Sequence, residues 1–149
     1  ELMKLARGSH LTWIDDDDDV ADNYVDRLTE TIEKNPDVDV ISFNQICFLE
    51  GKEANVFSKM GNPHQDVVPD PLNPDRYKDT LRPPYHWCVW KSSLAKSENF
   101  RSEVRLAGSD YGEDIDWLRR LYPQVKNSIY LEKDVLHIYR YSKNISESL

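Results

Sequence analysis

Leu11-Thr12-Trp13-Ile14 runs directly into Asp15-Asp16-Asp17-Asp18-Asp19, and this junction carries most of the information in the chain. A short apolar run that ends in stacked acids reads as a buried strand delivering carboxylates to the edge of a sheet. The five adjacent carboxylates repel one another, and each favours hydration. A fold tolerates that cost most easily where a cation, or a cation carrying a phosphate, offsets the charge. Hard oxygen ligands suit Mg²⁺ or Mn²⁺, so the run points to metal-assisted chemistry on a phosphorylated substrate. Three simpler explanations compete. Asp19 and Asp22 precede a helical pattern and suit its N-terminus, which accounts for those two acids but not for all five. A calcium loop of the EF-hand kind, counted from Asp15, requires Gly at its sixth position and Glu at its twelfth; the chain has Val20 and Asp26 there. A merely solvated acidic turn is the third, and a metal role is favoured over it.

The composition narrows the classes. With 149 residues, the chain suits a single domain over 1–149 and buries enough surface to need no staples. A net charge of −8 argues against non-specific nucleic-acid binding, which requires a basic face. An acidic protein still binds a polyanionic nucleotide when a metal bridges the two. The two cysteines, Cys47 and Cys88, form no CxxC pattern, which excludes a zinc knuckle and a disulfide scaffold; both are expected reduced in the core. No apolar run reaches membrane-spanning length and the first residues are not a signal peptide, so a cytoplasmic location is expected. The opening Glu1-Leu2-Met3 suggests an excised domain or a partial reading frame.

Working outward from the acidic run, Leu2 to Ala6 resembles a helix end stopped at Gly8, and His10 to Ile14 a strand. Ala21, Tyr24, Val25, Leu28 and Ile32 recur at helical spacing, predicting an amphipathic helix over 20–34 that ends at Asn35-Pro36. Val38 to Leu49 is β-branched and aromatic, followed by a turn at Glu50-Gly51-Lys52 and a hairpin partner over 53–58. The proline-rich stretch 60–84 predicts a long irregular connection. Tyr85 to Trp90 is strand-like, Lys91 to Lys96 a short helix, and 101–112 a loop. After Gly112 a second helix carries Ile115, Leu118, Leu121 and Tyr122 on one face and ends at Pro123. Ser128 to Leu131 and Val135 to Tyr141 are late strands. The order is mixed α/β with an antiparallel element.

Three further constellations carry possible chemistry. In Tyr111-Gly112-Glu113-Asp114-Ile115-Asp116-Trp117, acids open a helix. The macrodipole alone favours that; the functional alternative is a carboxylate pointed into a cleft as a general base. In Tyr85-His86-Trp87-Cys88-Val89-Trp90, His86 and Trp87 either line a sugar-binding wall or pack in a strand, with the two alternatives evenly weighted; Cys88 and Trp90 fit packing better. In Leu136-His137-Ile138-Tyr139-Arg140, a lone His on an apolar strand is more often a core residue than a ligand, although His137 is placed to complete a metal shell begun by the acids. Arg140 pairs either with a phosphate or with a nearby acid.

Taken together, these segments resemble family 2 glycosyltransferases of the GT-A fold. Gly8-Ser9-His10-Leu11-Thr12-Trp13-Ile14-Asp15-Asp16-Asp17-Asp18 is similar to that family's G-x-Y-I-x-F-L-D-x-D-D segment. Val89-Trp90-Lys91-Ser92-Ser93-Leu94 with Asn99-Phe100 resembles its W-x-K…L…F stretch, Gly112-Glu113-Asp114 with Trp117 its E-D motif, and Tyr139-Arg140-Tyr141 with Ser146 its closing Y-R-x…S segment. The resemblance implies that Asp15 and Asp17 are the ends of a DxD motif, with Asp17 the main metal ligand, Asp18 supporting, and Asp15 and Asp16 on the nucleotide side. It implies that Asp114, or its neighbour Glu113, deprotonates the acceptor hydroxyl, and that Trp117, with His86, Trp87 and Arg140, lies at the substrate. A single displacement from the face opposite the diphosphate inverts the sugar.

The family also opens with an S-I-I-I-P-x-Y-N strand and βα units that hold the nucleotide base, which this sequence lacks. It lacks as well the Gln-x-x-Arg-Trp motif of processive members. The expected fold is therefore a partial GT-A mixed sheet flanked by helices, the C-terminal portion of such a domain. The expected activity of the complete protein is non-processive, metal-dependent (Mn²⁺ or Mg²⁺) transfer from a nucleotide-sugar donor to a carbohydrate or glycan-like acceptor, with this chain alone expected to be a poor or inactive transferase. Missing neighbours for the first strand would favour a homo-oligomer. The rival is a non-catalytic carbohydrate-binding or structural remnant of the fold. A nucleotidyltransferase is weaker, because no Gly- and Arg/Lys-rich phosphate loop is present.

Overall fold

The computed structural model describes residues 2–61, 80–101 and 112–141. The elements run α1 (Leu2–Leu5), β1 (His10–Leu11), β2 (Asp19–Val20), α2 (Tyr24–Lys34), β3 (Val40–Leu49), β4 (Lys52–Met60), β5 (Thr80–Arg82), β6 (Val89–Lys91), α3 (Ser92–Ala95), α4 (Glu113–Leu121) and β7 (Ser128–Tyr141). The α/β class and the mixed sheet flanked by helices agree with the sequence reading. Most of the proline-rich stretch, the polar stretch before Gly112, and Ser146 lie outside the described residues.

The sheet is organised around β3. Its residues Val40, Ile41 and Phe43 are fully buried, as expected of a β-branched and aromatic run with neighbours on both sides. On one side β7 runs parallel to it from Val40↔Ser128 to Leu49↔Tyr141. On the other side two antiparallel strands share its length: β6 pairs Val40 and Ile41, and β4 pairs Gln45 to Leu49. β1 extends the sheet beyond β6, β5 lies parallel to β4, and β2 pairs with β7. Glu50 and Gly51 both take positive φ, the geometry of a two-residue hairpin turn that matches strand twist.

Several boundaries differ from the sequence expectation. The two late strands are one strand, β7, with its register against β3 shifted at Asn44. The first helix begins at Tyr24 rather than residue 20, because Asp19 and Val20 are drawn into a strand against Ile138 and His137. Asp19 is therefore not a helix cap, and the N-cap position falls to Asn23. β1 is only His10–Leu11; Thr12 to Ile14 is held by side chains instead. Thr12 Oγ1 donates to the Trp87 carbonyl at 2.9 Å, and Trp13 packs edge-on against Trp117 and Phe100. Tyr85 to Cys88 is a turn, closed by the Cys88 N–H on the Tyr85 carbonyl at 3.1 Å, and the strand starts only at Val89.

One core joins the helices to the sheet. Tyr24 and Leu28 of α2, Trp117, Leu118 and Leu121 of α4, and Trp90 and Val89 of β6 belong to it. Cys47 and Cys88 are both free and buried. Two buried indole N–H groups are satisfied: Trp90 donates to the Tyr85 carbonyl and Trp117 to the Glu98 carbonyl, at 3.0 and 3.1 Å. Indoles placed this way contribute area without an orphaned donor.

Candidate active site

The acidic run is a turn, and the turn resolves its repulsion. The Asp18 N–H donates to the Asp15 carbonyl at 3.1 Å, so the acids point in different directions. Asp15 faces His86. Asp16 and Asp17 occupy the tip. Asp18 turns inward: its side chain is 2% exposed, accepts the Arg140 N–H at 3.0 Å, and lies 3.1 Å from Nε2 of a His137 that is 1% exposed. Asp19 accepts from its neighbour's backbone, Val20 N–H, and from the Arg140 guanidinium at 3.2 Å. Arg140 thus pairs with a nearby acid, with its guanidinium also 5.4 Å from the centre of the Phe48 ring.

A second turn faces the first. His86 and Trp87 occupy the centre of the Tyr85–Cys88 turn. Trp87 is 5% exposed and spends its face on His137, stacked at 4.4 Å with the rings nearly parallel. It forms a wall behind the site rather than an open sugar platform. His86 Nε2 lies 3.6 Å from Asp15 Oδ2, and its Nδ1 lies 3.4 Å from Asp114 Oδ2. One imidazole therefore links the end of the Leu11–Ile14 run with the first turn of α4.

The start of α4 separates its two leading acids. Gly112, at φ 147, takes a backbone conformation that side chains resist, and the chain turns sharply into the helix. Glu113 folds back to accept the Gly112 N–H at 3.1 Å. Asp114 accepts its neighbour's Ile115 N–H at 2.7 Å and presents its other oxygen to His86. Of the pair, Asp114 is the acid brought into the site. Trp117 is not: it is 0% exposed and stacked on Phe100 at 5.0 Å.

The charges at this centre support one another. Burial opposes a charged His86, but ion pairing with Asp114 and Asp15 outweighs it and raises its pKa to about 9. His86 in turn holds Asp15 below its ordinary value against partial burial. Burial pushes Asp114 up, but His86 and the Ile115 N–H overcome it and leave Asp114 lowered as well. A folded-state pKa above the unfolded value means that His86 stabilises the fold fully below pH 6.5 and loses that contribution as pH rises through about 9. The two carboxylates act oppositely, stabilising above pH 3.8 and losing their contribution as pH falls through their lower folded values. Thermal melts from pH 6.5 to 9 are expected to show a fall of about 5 °C that His86→Gln abolishes. An unchanged slope in that variant would place the charge elsewhere.

The donor chemistry fits a hard divalent cation in a limited sense. Asp15, Asp16 and Asp17 offer carboxylate oxygens from one turn, with the Asp15 side chain 60% exposed. No group of three or more His, Cys, Asp or Glu side chains among the described residues is arranged to hold a metal by itself. Mg²⁺ is commonly bound by one or two carboxylates together with substrate phosphates, so the tip suits a cation shared with a diphosphate. Asp18 and His137 fit less well, being buried against each other. The Asp15–His86–Asp114 link has no counterpart in the sequence reading; the only local signal is the pair Pro83-Pro84 just upstream of His86.

The fold is that of a glycosyltransferase domain. The chain is similar to crystal structures of TarS, a glycosyltransferase of S. aureus. Against its 1–349 fragment in complex with UDP-GlcNAc, identity is 13% and the TM-score 0.61, covering 95% of this chain and 37% of that one. Against the same fragment with UDP, identity is 16% and the TM-score 0.58, covering 94% and 38%. The chain thus spans a little over a third of these neighbours. No family model matches it, and no curated protein matches it by sequence. Among the described residues no helix is long and apolar enough to cross a membrane.

Proposed function

We propose that the chain is the metal- and acceptor-handling portion of an inverting, non-processive, family 2-like glycosyltransferase that takes a nucleotide-sugar donor. The observation that carries this is the meeting of Asp15, His86 and Asp114. An acid at the end of the DxD-like run and an acid at the start of α4 approach the same imidazole, so donor-side and acceptor-side groups share one site. The fold likeness to TarS, with its UDP and UDP-GlcNAc complexes, supports a uridine diphosphate sugar as the donor class.

In this reading Asp15 and Asp16 lie on the nucleotide side and Asp17 holds the cation. Bound Mg²⁺ or Mn²⁺ would supply positive charge to the diphosphate leaving group. Asp114, kept ionised by its surroundings, accepts the proton of the acceptor hydroxyl as that oxygen attacks the anomeric carbon. Attack from the side opposite the leaving diphosphate inverts the sugar.

The test is a melting experiment. Mn²⁺ with UDP is expected to raise the melting temperature by binding only the folded chain, an effect of ~2.7 kcal/mol at a hundredfold excess over Kd. Asp17→Asn is expected to remove that rise. A variant that responds to Mn²⁺ and UDP as the parent does would refute Asp17 as the anchor.

A further inference from the structure

His86 and the two acids that it faces, Asp15 and Asp114, come from three separate parts of the chain. We infer that His86 is a positioning residue for the transfer proposed above, one ring that fixes the donor-side acid Asp15 relative to the acceptor-side base Asp114. The inference rests on that reading of the two acids.

The geometry has three components. First, the ring addresses the acids through different nitrogens, Nε2 toward Asp15 at 3.6 Å and Nδ1 toward Asp114 at 3.4 Å. A rigid imidazole sets the spacing of two carboxylates in a way that a flexible Lys does not. Second, the turn that carries His86 is held on several sides. The Cys88 N–H closes it on the Tyr85 carbonyl. Trp87 is stacked on buried His137. Thr12 Oγ1 grips the Trp87 carbonyl at 2.9 Å, and Thr12 lies just upstream of Asp15. Movement of the turn therefore moves the acidic run with it. Third, the ring is mostly withdrawn from solvent, with a side-chain exposure of 17%, and its Nδ1 makes no well-formed hydrogen bond. It faces Asp114 at ion-pair distance with slack to tighten, as contacts in active sites commonly do when substrate is bound.

Two conservative variants separate the two contacts. The amide nitrogen of Asn approximates Nδ1, and that of Gln approximates Nε2. His86→Asn keeps the reach toward Asp114 and is expected to raise the donor KM with kcat largely kept. His86→Gln keeps the reach toward Asp15 and is expected to lower kcat by about 10²-fold with the donor KM little changed. The readout is UDP release from UDP-GlcNAc by the full chain. A purely structural role would move both parameters alike in both variants, and that result would overturn the inference.

A melting cycle reads the same contacts without turnover. His86→Gln combined with Asp114→Asn, and His86→Asn combined with Asp15→Asn, should each depart from additivity by about 2–4 °C. Additive melting in a protein that does release UDP would overturn the bridge and leave the transferase reading standing. Coupled melting in a protein that neither binds UDP-GlcNAc nor releases UDP would overturn the transferase reading, and with it any role of His86 in transfer.

Discussion

Asp114→Asn is expected to lower sugar transfer by about 10²–10⁴-fold, the usual cost of removing a positioned base, while binding of UDP and Mn²⁺ persists. Asn preserves the shape of the side chain and one oxygen for the Ile115 N–H, which now donates to Asp114 at 2.7 Å. It removes the charge that, in the proposed reading, accepts the acceptor's proton. In the proposed reading donor binding depends on the other turn, around Asp15 to Asp18, and should be little affected. Glu113→Gln is the internal control. Its carboxylate is folded onto the Gly112 N–H, away from His86, and its replacement should leave most of the rate. Steady-state UDP release with a saturating acceptor distinguishes the two. If Glu113→Gln is dead and Asp114→Asn active, the base has been assigned to the wrong acid.

Trp117→Ala is expected to destabilise the fold by about 3–5 kcal/mol, as loss of a buried aromatic does, lowering the melting temperature by about 10 °C. Trp117 is 0% exposed and sits at the crossing of three aromatic neighbours: Trp13 at 4.7 Å, Trp90 at 5.5 Å and Phe100 at 5.0 Å. Its indole N–H also holds the Glu98 carbonyl. Trp117→Phe keeps most of the ring area and loses that bond, about 1 kcal/mol, and should melt only slightly below the parent. The pair tests the substrate-binding role that the E-D…W resemblance implies for Trp117. Normal melting of Trp117→Ala with impaired acceptor binding would restore that role; lowered melting with binding intact at low temperature assigns Trp117 to the core that props α4 beneath Asp114.

The elements legible in the sequence are those with a strong local pattern. Val38 to Leu49 announces a buried strand through its β-branched and aromatic residues, and β3 occupies Val40–Leu49. The helical spacing from Tyr24 to Ile32 survives in α2, and the acid-opened helix in α4. What failed was local pattern met by a stronger distant partner. Asp19 and Val20 have the chemistry of a helix entry, yet pairing with Ile138 and His137 takes them into the sheet. Tyr85 to Cys88 has strand composition, yet closes as a turn because its polar groups find partners there and in Thr12.

The site divides the same way. By itself the sequence determined which chemistries are present: a concentration of hard oxygen donors at Asp15 to Asp19, a carboxylate pair opening a helix after a glycine, and isolated histidines at positions 86 and 137. Those follow from residue type and short-range spacing. Only the tertiary structure decided how they are shared out. It set His86 between Asp15 and Asp114, buried Asp18 on His137, turned Glu113 onto the backbone and withdrew Trp117 and Trp87 from solvent. The physical reason is that a side chain's charge state and reach depend on which distant strand or turn arrives beside it. That is set by sheet register and by closure of the core, and neither is encoded in the residues next to it.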